Sequence, residues 1–319
     1  MRILVVMQVT DRHKELLKAA ASGEEILFIE ASAVDEEIVK SADIIIGNLP
    51  PQLIVGSKRL KLLQLNNAGT DGYTDPGILP EQAVLTNATG AYGVAISEHM
   101  IGMLLCLMKK LNCYQDNMRE NRWADLGPVP AIYGSKTLVV GLGDIGGGFA
   151  RRMVAFGSSV TGIRRTRAEK PDYLEALYQM DSLYGALEEA DIVAACLPST
   201  AETRKVFNEE AFSHMKKGAY FINIGRGSAV DTDALMKALN SGRLAGACLD
   251  VTDPEPLPAD HPLWNTPNVL ITPHVSGGYH VKETHDRIIA IAARNIGHML
   301  KNEPPENVVD LKTGYRKNS

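Results

Sequence analysis

The stretch "KTLVVGLGDIGGGFARRMVAF" (136–156) constrains the fold more than any other part of the chain. An aliphatic run ends in Gly141-Leu142-Gly143-Asp144-Ile145-Gly146, and an amphipathic pattern begins at once. Strand, glycine loop and helix in that order form the phosphate-binding first turn of a βαβ unit. Each glycine has a task there: Gly141 permits a tight turn, Gly143 lets the backbone approach a pyrophosphate, and Gly146 lets helix pack closely on strand. Amides at the helix start, next to Asp144 and Ile145, then bind the phosphates. Glycine-rich strings are common, and it is the placement between strand and helix that carries weight. Gly147 and Gly148 fit a helix interior poorly, each costing about 1 kcal/mol against alanine. Close packing is the expectation for both.

The rest of the chain repeats this alternation. The runs 2–7, 25–30, 43–48, 62–66 and 83–87 read as strands, with helical patterns such as "DRHKELLKAA" and "VDEEIVKSA" between them. After Gly134 the runs 136–141, 159–163, 191–196, 219–225, 244–250 and 268–272 continue the series. Such alternation predicts parallel sheets with helices on their faces. Between the two series, 97–112 is helical and apolar nearly all round, and a polar segment with prolines and glycines near its end follows (114–134). A helix of that kind is buried on several sides, against a core or another subunit. A chain of 319 residues exceeds most single cores. The expectation is two α/β units, roughly 1–96 and 97–280, with the helical pattern at 280–301 returning to either.

Bulk properties exclude several classes. Hydrophobic and charged fractions of 45% and 22% are those of an ordinary globular protein, so disorder is not the default. The net charge of -5, with signs interspersed, points to neither a nucleic-acid nor an anionic-membrane surface. Cys106, Cys113, Cys196 and Cys248 form no CxxC pair, and three lie in apolar runs. Buried free thiols are expected, and no metal site. The start "MRILVVMQVT" turns charged at residue 11, unlike a signal peptide, and the apolar run 94–108 is too short to span a bilayer. A cytoplasmic protein without membrane contact is expected.

The glycine loop predicts an acidic residue at the end of the next strand, to hold a ribose 2′-hydroxyl. Here "VTGIRRTR" (160–167) places Arg164, Arg165, Thr166 and Arg167 instead. Most short basic runs are solvated loops, and Arg167 keeps that reading. Arg164 and Arg165 fall where the adenosine ribose lies. A guanidinium there pairs with a 2′-phosphate that a carboxylate would repel, and Thr166 adds a hydroxyl. NADP is therefore the expected cofactor in preference to NAD, which stays possible.

Three further strings are "FINIGRGSAVD" (221–231), "LDVTDPEPLPADHPLW" (249–264) and "ITPHVSGGY" (271–279). With "NNAGTDGY" (66–73), "AISEHMIGMLL" (95–105), "CLPSTAETRKVFN" (196–208), "NVVD" (307–310) and a later "GY", they run over nearly the whole chain. In this order the set resembles the D-isomer-specific 2-hydroxyacid dehydrogenases, in particular their NADP-preferring, glyoxylate/hydroxypyruvate reductase-like branch. The resemblance implies an α/β chain of two domains: a flavodoxin-like substrate-binding domain (1–97 and 281–319) and a Rossmann doubly wound dinucleotide domain (98–280). It implies Arg226, Glu255 and His274 as catalytic residues. To the glycine loop and the arginines it adds Leu197, Pro198, Thr203, Ile224, Gly225, Asp250 and Gly277 as cofactor-binding residues. Ala68 and Gly69 would hold the substrate carboxylate by their amides, together with Arg226 and His274. A homodimer, formed in part through 97–112, is also implied.

The chemistry needs those residue types. A 2-oxoacid presents a carboxylate beside a ketone, so an arginine pairs with the first and polarises the second. A histidine protonates the ketone oxygen as hydride reaches C2, and an acid beside it orients the ring and favours the imidazolium. Taken singly, a histidine after a proline is more often structural, and an arginine an ordinary ion-pair residue; the ordered set outweighs both readings. Leu49, Pro50, Tyr92 and Tyr279 are pocket candidates that can equally be packing residues. Reduction of a small 2-oxoacid to a D-2-hydroxyacid is the leading expectation. A dinucleotide-sensing, corepressor-like interaction protein and an NAD-dependent phosphoglycerate-type dehydrogenase are the alternatives. The second of these would want an extra basic group near the pocket, and none is evident. A formate dehydrogenase would carry an amide where Glu255 stands.

Overall fold

The structure is a computed structural model that describes residues 1–278, 281–314 and 316–317. The chain divides into two compact units: unit 1 is Met1–Tyr92 with Tyr279–Ser319, and unit 2 is Gly93–Gly278. The chain leaves unit 1 at Tyr92, five residues before the expected 97/98 crossing, because the apolar helix starts at Gly93 and belongs whole to unit 2.

Unit 1 begins β1 (Arg2–Val5), α1 (Asp11–Ala21), β2 (Glu25–Phe28), α2 (Glu36–Ser41), β3 (Ile44–Ile46), α3 (Pro51–Ile54), β4 (Leu62–Gln64) and β5 (Val84–Thr86). Local chemistry sets the ends. Thr10 and His13 form a reciprocal capping box at α1, and Asp35 caps α2 through the Ile38 amide. All strand pairs are parallel and the order is β2-β1-β3-β4-β5, the flavodoxin-like doubly wound arrangement. Buried both sides, these strands read as continuous apolar runs such as Ile44-Ile45-Ile46.

Unit 2 continues with α4 (Gly93–Met108), α5 (Leu111–Arg119), β6 (Lys136–Val140), α6 (Asp144–Ala155), β7 (Ser159–Ile163), β8 (Ala176–Tyr178), α7 (Leu183–Glu189), β9 (Ile192–Ala195), α8 (Glu209–His214), β10 (Ala219–Asn223), α9 (Thr232–Asn240), β11 (Leu244–Leu249) and β12 (Val269–Ile271). Its order, β12-β11-β10-β9-β6-β7-β8, is the Rossmann pattern with one further strand, all parallel. Phe207, Phe212 and Phe221 fill the core on one face, Phe221 meeting the other two edge-on at 5.0 and 5.4 Å. Unit 1 then closes with α10 (Lys282–Leu300), packed against α1.

Every expected strand run contains a strand, trimmed at its ends. β8 was not expected: three residues at a sheet edge leave too little periodicity to see. The expected 97–112 helix is two. Lys110 takes a left-handed conformation (φ 55°) that breaks it, and the second helix runs on into the polar segment as far as Arg119. All four cysteines are free; Cys248 is buried as expected, Cys106 and Cys196 are half-buried, and Cys113 is exposed on α5. Among the described residues, no helix is long and apolar enough to cross a membrane.

Candidate active site

In unit 2 the residues singled out from the sequence fall in loops at the carboxyl ends of neighbouring parallel strands. The strand order reverses between β6 and β9, the position where a doubly wound sheet opens a ligand crevice. Gly141 follows β6 with φ 96°, and a Cβ there would strike the carbonyl of Cys196, beyond β9. A Cβ on Gly146 would strike the Gly141 carbonyl, so α6 packs directly on the strand end. Gly143 is different: apart from its chain neighbours, a Cβ there meets no atom of the described residues within 4 Å. Packing against the described residues does not require a glycine there, and the space beside it is open to a ligand. Gly143 also provides no side-chain cap, which leaves the first amides of α6, beside Asp144 and Ile145, open to an anion. These residues fit a dinucleotide pyrophosphate.

Gly148 has the packing reason expected of it. Its Cβ would lie 2.7 Å from the Gly93 carbonyl and 3.2 Å from Ser97 Oγ, so α4 and α6 cross there in near backbone contact. Gly147 has none, its nearest neighbour being the Tyr173 hydroxyl at 3.6 Å.

The Gly141 and Leu142 amides donate to the Ile163 carbonyl at 3.0 and 3.2 Å, which sets the end of β7 against the glycine loop. Arg164, half-buried, is the next residue, and its amide donates to Tyr178 O at 3.0 Å. Arg165, Thr166 and Arg167 are exposed, and Gln179 Nε2 steadies the Arg165 carbonyl at 3.3 Å. Across the crevice Leu197 is buried and Pro198 exposed. The Thr203 hydroxyl is used inside this turn, donating to Pro198 O at 2.7 Å. Burial pushes the Cys196 thiol up to about 12, which keeps it neutral. Ile224 is buried, and Gly225 fits only because it lacks a Cβ that would overlap the Leu197 backbone.

The candidate trio is assembled by contacts between three strand-end loops. Asn223, buried at the end of β10, accepts from the Gly225 amide at 3.1 Å and donates to Arg226 O at 3.0 Å. Arg226 is half-buried and donates through Nη1 to Gly225 O at 2.9 Å. A Cβ on Gly227 would overlap the Thr252 carbonyl, so this turn lies directly on the loop that carries Glu255. Glu255 Oε1 lies 2.6 Å from His274 Nδ1, and both side chains keep access to solvent, at 40% and 47%. The pair fixes Nδ1 as the nitrogen facing the acid and leaves Nε2 to meet a substrate.

Sequence reading missed how His274 is held. It sits at φ 51°, unusual for a non-glycine residue, with its amide donating to Asp250 O at 2.8 Å. The Asp250 carboxylate, 1% exposed, gathers the loop around it. It accepts from Thr272 Oγ1 (2.5 Å), Val275 N (3.1 Å), Ser276 N (3.2 Å) and Ser276 Oγ (2.5 Å). Gly277 lies in the turn that follows. On α4, His99 Nε2 reaches Thr272 Oγ1 at 3.1 Å. The hydroxyl residues flanking His274 in "TPHVS" were the available signal; His99 had none.

In unit 1 the loop after β4 is tied down at several points. Asn66 N–H donates to Asn48 Oδ1 at 3.0 Å, Asn87 Nδ2 to Ala68 O at 2.8 Å, and the Tyr92 hydroxyl to Asn66 O. Among the described residues the amides of Ala68 and Gly69 have no acceptor. Leu49 and Tyr92 are buried, Pro50 is exposed, and Tyr279 lies outside the described residues.

Comparison with known proteins matches this arrangement. The family model for the D-isomer specific 2-hydroxyacid dehydrogenase NAD-binding domain matches residues 101–276. A glyoxylate reductase of Thermofilum pendens is 30% identical, over 93% of this chain and 84% of its own. A D-isomer specific 2-hydroxyacid dehydrogenase family structure from Aeromonas salmonicida superposes with a TM-score of 0.85 at 32% identity, covering 97% of this chain and 99% of that one. A relative from Xanthobacter autotrophicus, in complex with NADPH and MES, gives 0.83 at 29% identity, covering 98% and 99%. The fold is thus shared along essentially the full chain, which belongs to the D-isomer-specific 2-hydroxyacid dehydrogenases, oxidoreductases that use a nicotinamide dinucleotide.

Proposed function

We propose that the chain is an NADPH-dependent reductase of small 2-oxoacids, producing D-2-hydroxyacids. The observation that carries this reading is the Glu255–His274 pair at 2.6 Å, on a loop packed against the Arg226 turn. A bound dinucleotide supplies the hydride. Arg226 forms charge-assisted hydrogen bonds to the substrate carboxylate and polarises the ketone oxygen. His274 gives the Nε2 proton to that oxygen and recovers it when a hydroxyacid is oxidised. Glu255 holds the imidazole by Nδ1 and balances its charge in the protonated form. The amides of Ala68 and Gly69, without acceptors among the described residues, suit an anion. An intact trio favours catalysis over dinucleotide sensing.

Arg164, Arg165 and Thr166 beside the glycine loop support NADPH over NADH, as does the NADPH held by the Xanthobacter autotrophicus relative. The name of the Thermofilum pendens relative makes glyoxylate the first substrate to try, and the sequence resemblance adds hydroxypyruvate. A dimer through α4 and the segment after it suits the exposed Leu111, Met118, Trp123 and Tyr133 gathered there.

The test follows nicotinamide absorbance with NADPH or NADH against a panel of 2-oxoacids. NADPH-linked turnover of at least one small 2-oxoacid is expected; none with either cofactor would shift the reading to sensing. Arg164→Ala with Arg165→Ala should weaken NADPH about tenfold or more and NADH far less. His274→Ala should slow turnover roughly 10²- to 10⁴-fold while NADPH still binds.

A further inference from the structure

Unit 1 contains a cavity of about 890 Å³ that no residue of the candidate active site lines. Its floor is one face of α10, where Arg287, Ala290, Ile291 and Arg294 recur at helical spacing. Its walls are the segment 304–308, the Thr89-Gly90 turn, and Arg316 with Lys317.

Backbone and side-chain amides contribute most of the bonds that hold these walls. Asn295, fully buried on α10, accepts from the Glu306 amide at 2.6 Å and donates to Glu306 O at 3.2 Å and Gln64 Oε1 at 2.6 Å. Asn307 Nδ2 donates to Thr89 O at 2.7 Å, and Lys317 N to Val308 O at 2.7 Å. The cavity is thus held by backbone and amide hydrogen bonds, to which the side chains of Arg287, Arg316 and Lys317 do not contribute.

Glu306 is the one acid in the described lining, and Arg294 takes it in a two-pronged pair, Nε to Oε1 at 2.7 Å and Nη2 to Oε2 at 3.0 Å. Arg287, Arg316 and Lys317 have no carboxylate within ion-pair distance among the described residues. Four cations against one acid leave three positive charges in excess in this concavity, in a chain whose net charge is -5. Like charges held together repel, and an anion between them relieves the repulsion. Guanidinium groups favour oxyanions they can grip with two parallel hydrogen bonds. A monoanion would satisfy only one of them. Ala290 and Ile291 between the arginines, and the volume, suit a small molecule with a carbon skeleton.

We propose that this cavity binds a small metabolite carrying two or more negative charges, either a phosphate monoester or a di- or tricarboxylate. Its basic lining recognises the shared multiply charged oxyanion, separately from the hydride-transfer site.

Isothermal titration calorimetry of the intact protein with glucose 6-phosphate, citrate and acetate tests this. At least one of the first two is expected to bind, and acetate not. Binding of the first alone assigns phosphate esters; binding of citrate alone assigns polycarboxylates. Arg287→Ala with Arg316→Ala should weaken the interaction about tenfold or more, and Arg164→Ala with Arg165→Ala should leave it unchanged. No binding by either probe, equal affinity in the Arg287/Arg316 variant, or loss in the Arg164/Arg165 variant would overturn the proposal. Should the double variant not fold, as judged by circular dichroism, Arg287→Glu at an exposed helix position gives the same readout.

Discussion

His274 shows what one residue needs beyond its identity. Its φ of 51° is a conformation that costs a non-glycine residue energy, and it persists because Asp250 holds the residues on both sides. The Thr272 hydroxyl gives its proton to Asp250 Oδ1, so its oxygen accepts from His99 Nε2–H. His99→Ala should remove that donor and loosen the loop, lowering kcat about tenfold with little change in the KM for NADPH. His99→Gln, which keeps a donor, should restore most of the loss. Steady-state kinetics on the three proteins checks this, and an unchanged kcat in His99→Ala would show that Asp250 alone suffices. The trio itself was legible because each member sits in a distinctive string. His99 was not, because its partner lies 173 residues away and no local pattern records that distance.

Among elements, the α4–α6 crossing decides what the run Gly146-Gly147-Gly148 is for. Gly146 touches the strand end and Gly148 the carbonyl of Gly93, whereas Gly147 touches almost nothing. Gly148→Ala should therefore destabilise the protein by about 1–3 kcal/mol through forced separation of the helices. Gly147→Ala should stabilise it by about 0.5–1 kcal/mol, since alanine loses less backbone freedom in a helix. Denaturant unfolding of the cofactor-free variants measures both, and the opposite order would refute the crossing geometry. Sequence reading gave one packing reason for both glycines, because helix periodicity does not say which face meets a neighbour. It likewise missed β8, whose three residues become a strand only by pairing with β7.

For the whole molecule, composition and alternation were enough to exclude disorder and to place two parallel α/β sheets. Assembly is a different matter. Trp123 is fully exposed, and Met118 and Tyr133 are largely so, an arrangement that suits burial against a second copy. Sedimentation should therefore return the mass of two 34.6 kDa chains, and Trp123→Asp should shift it toward one; a single-chain mass for the unaltered protein would remove the dimer. What the sequence determined by itself was fold class, motif order and which strand-end residues are candidates for the chemistry, since hydrophobic period and glycine or arginine placement act within a few residues. Only the tertiary structure decided which loops Asp250 collects, where α4 presses on α6, and that cations of α10 share one cavity with Arg316 and Lys317 near the chain's end. Those outcomes rest on close packing and hydrogen bonds between segments far apart along the chain, where each partner's position depends on the whole fold.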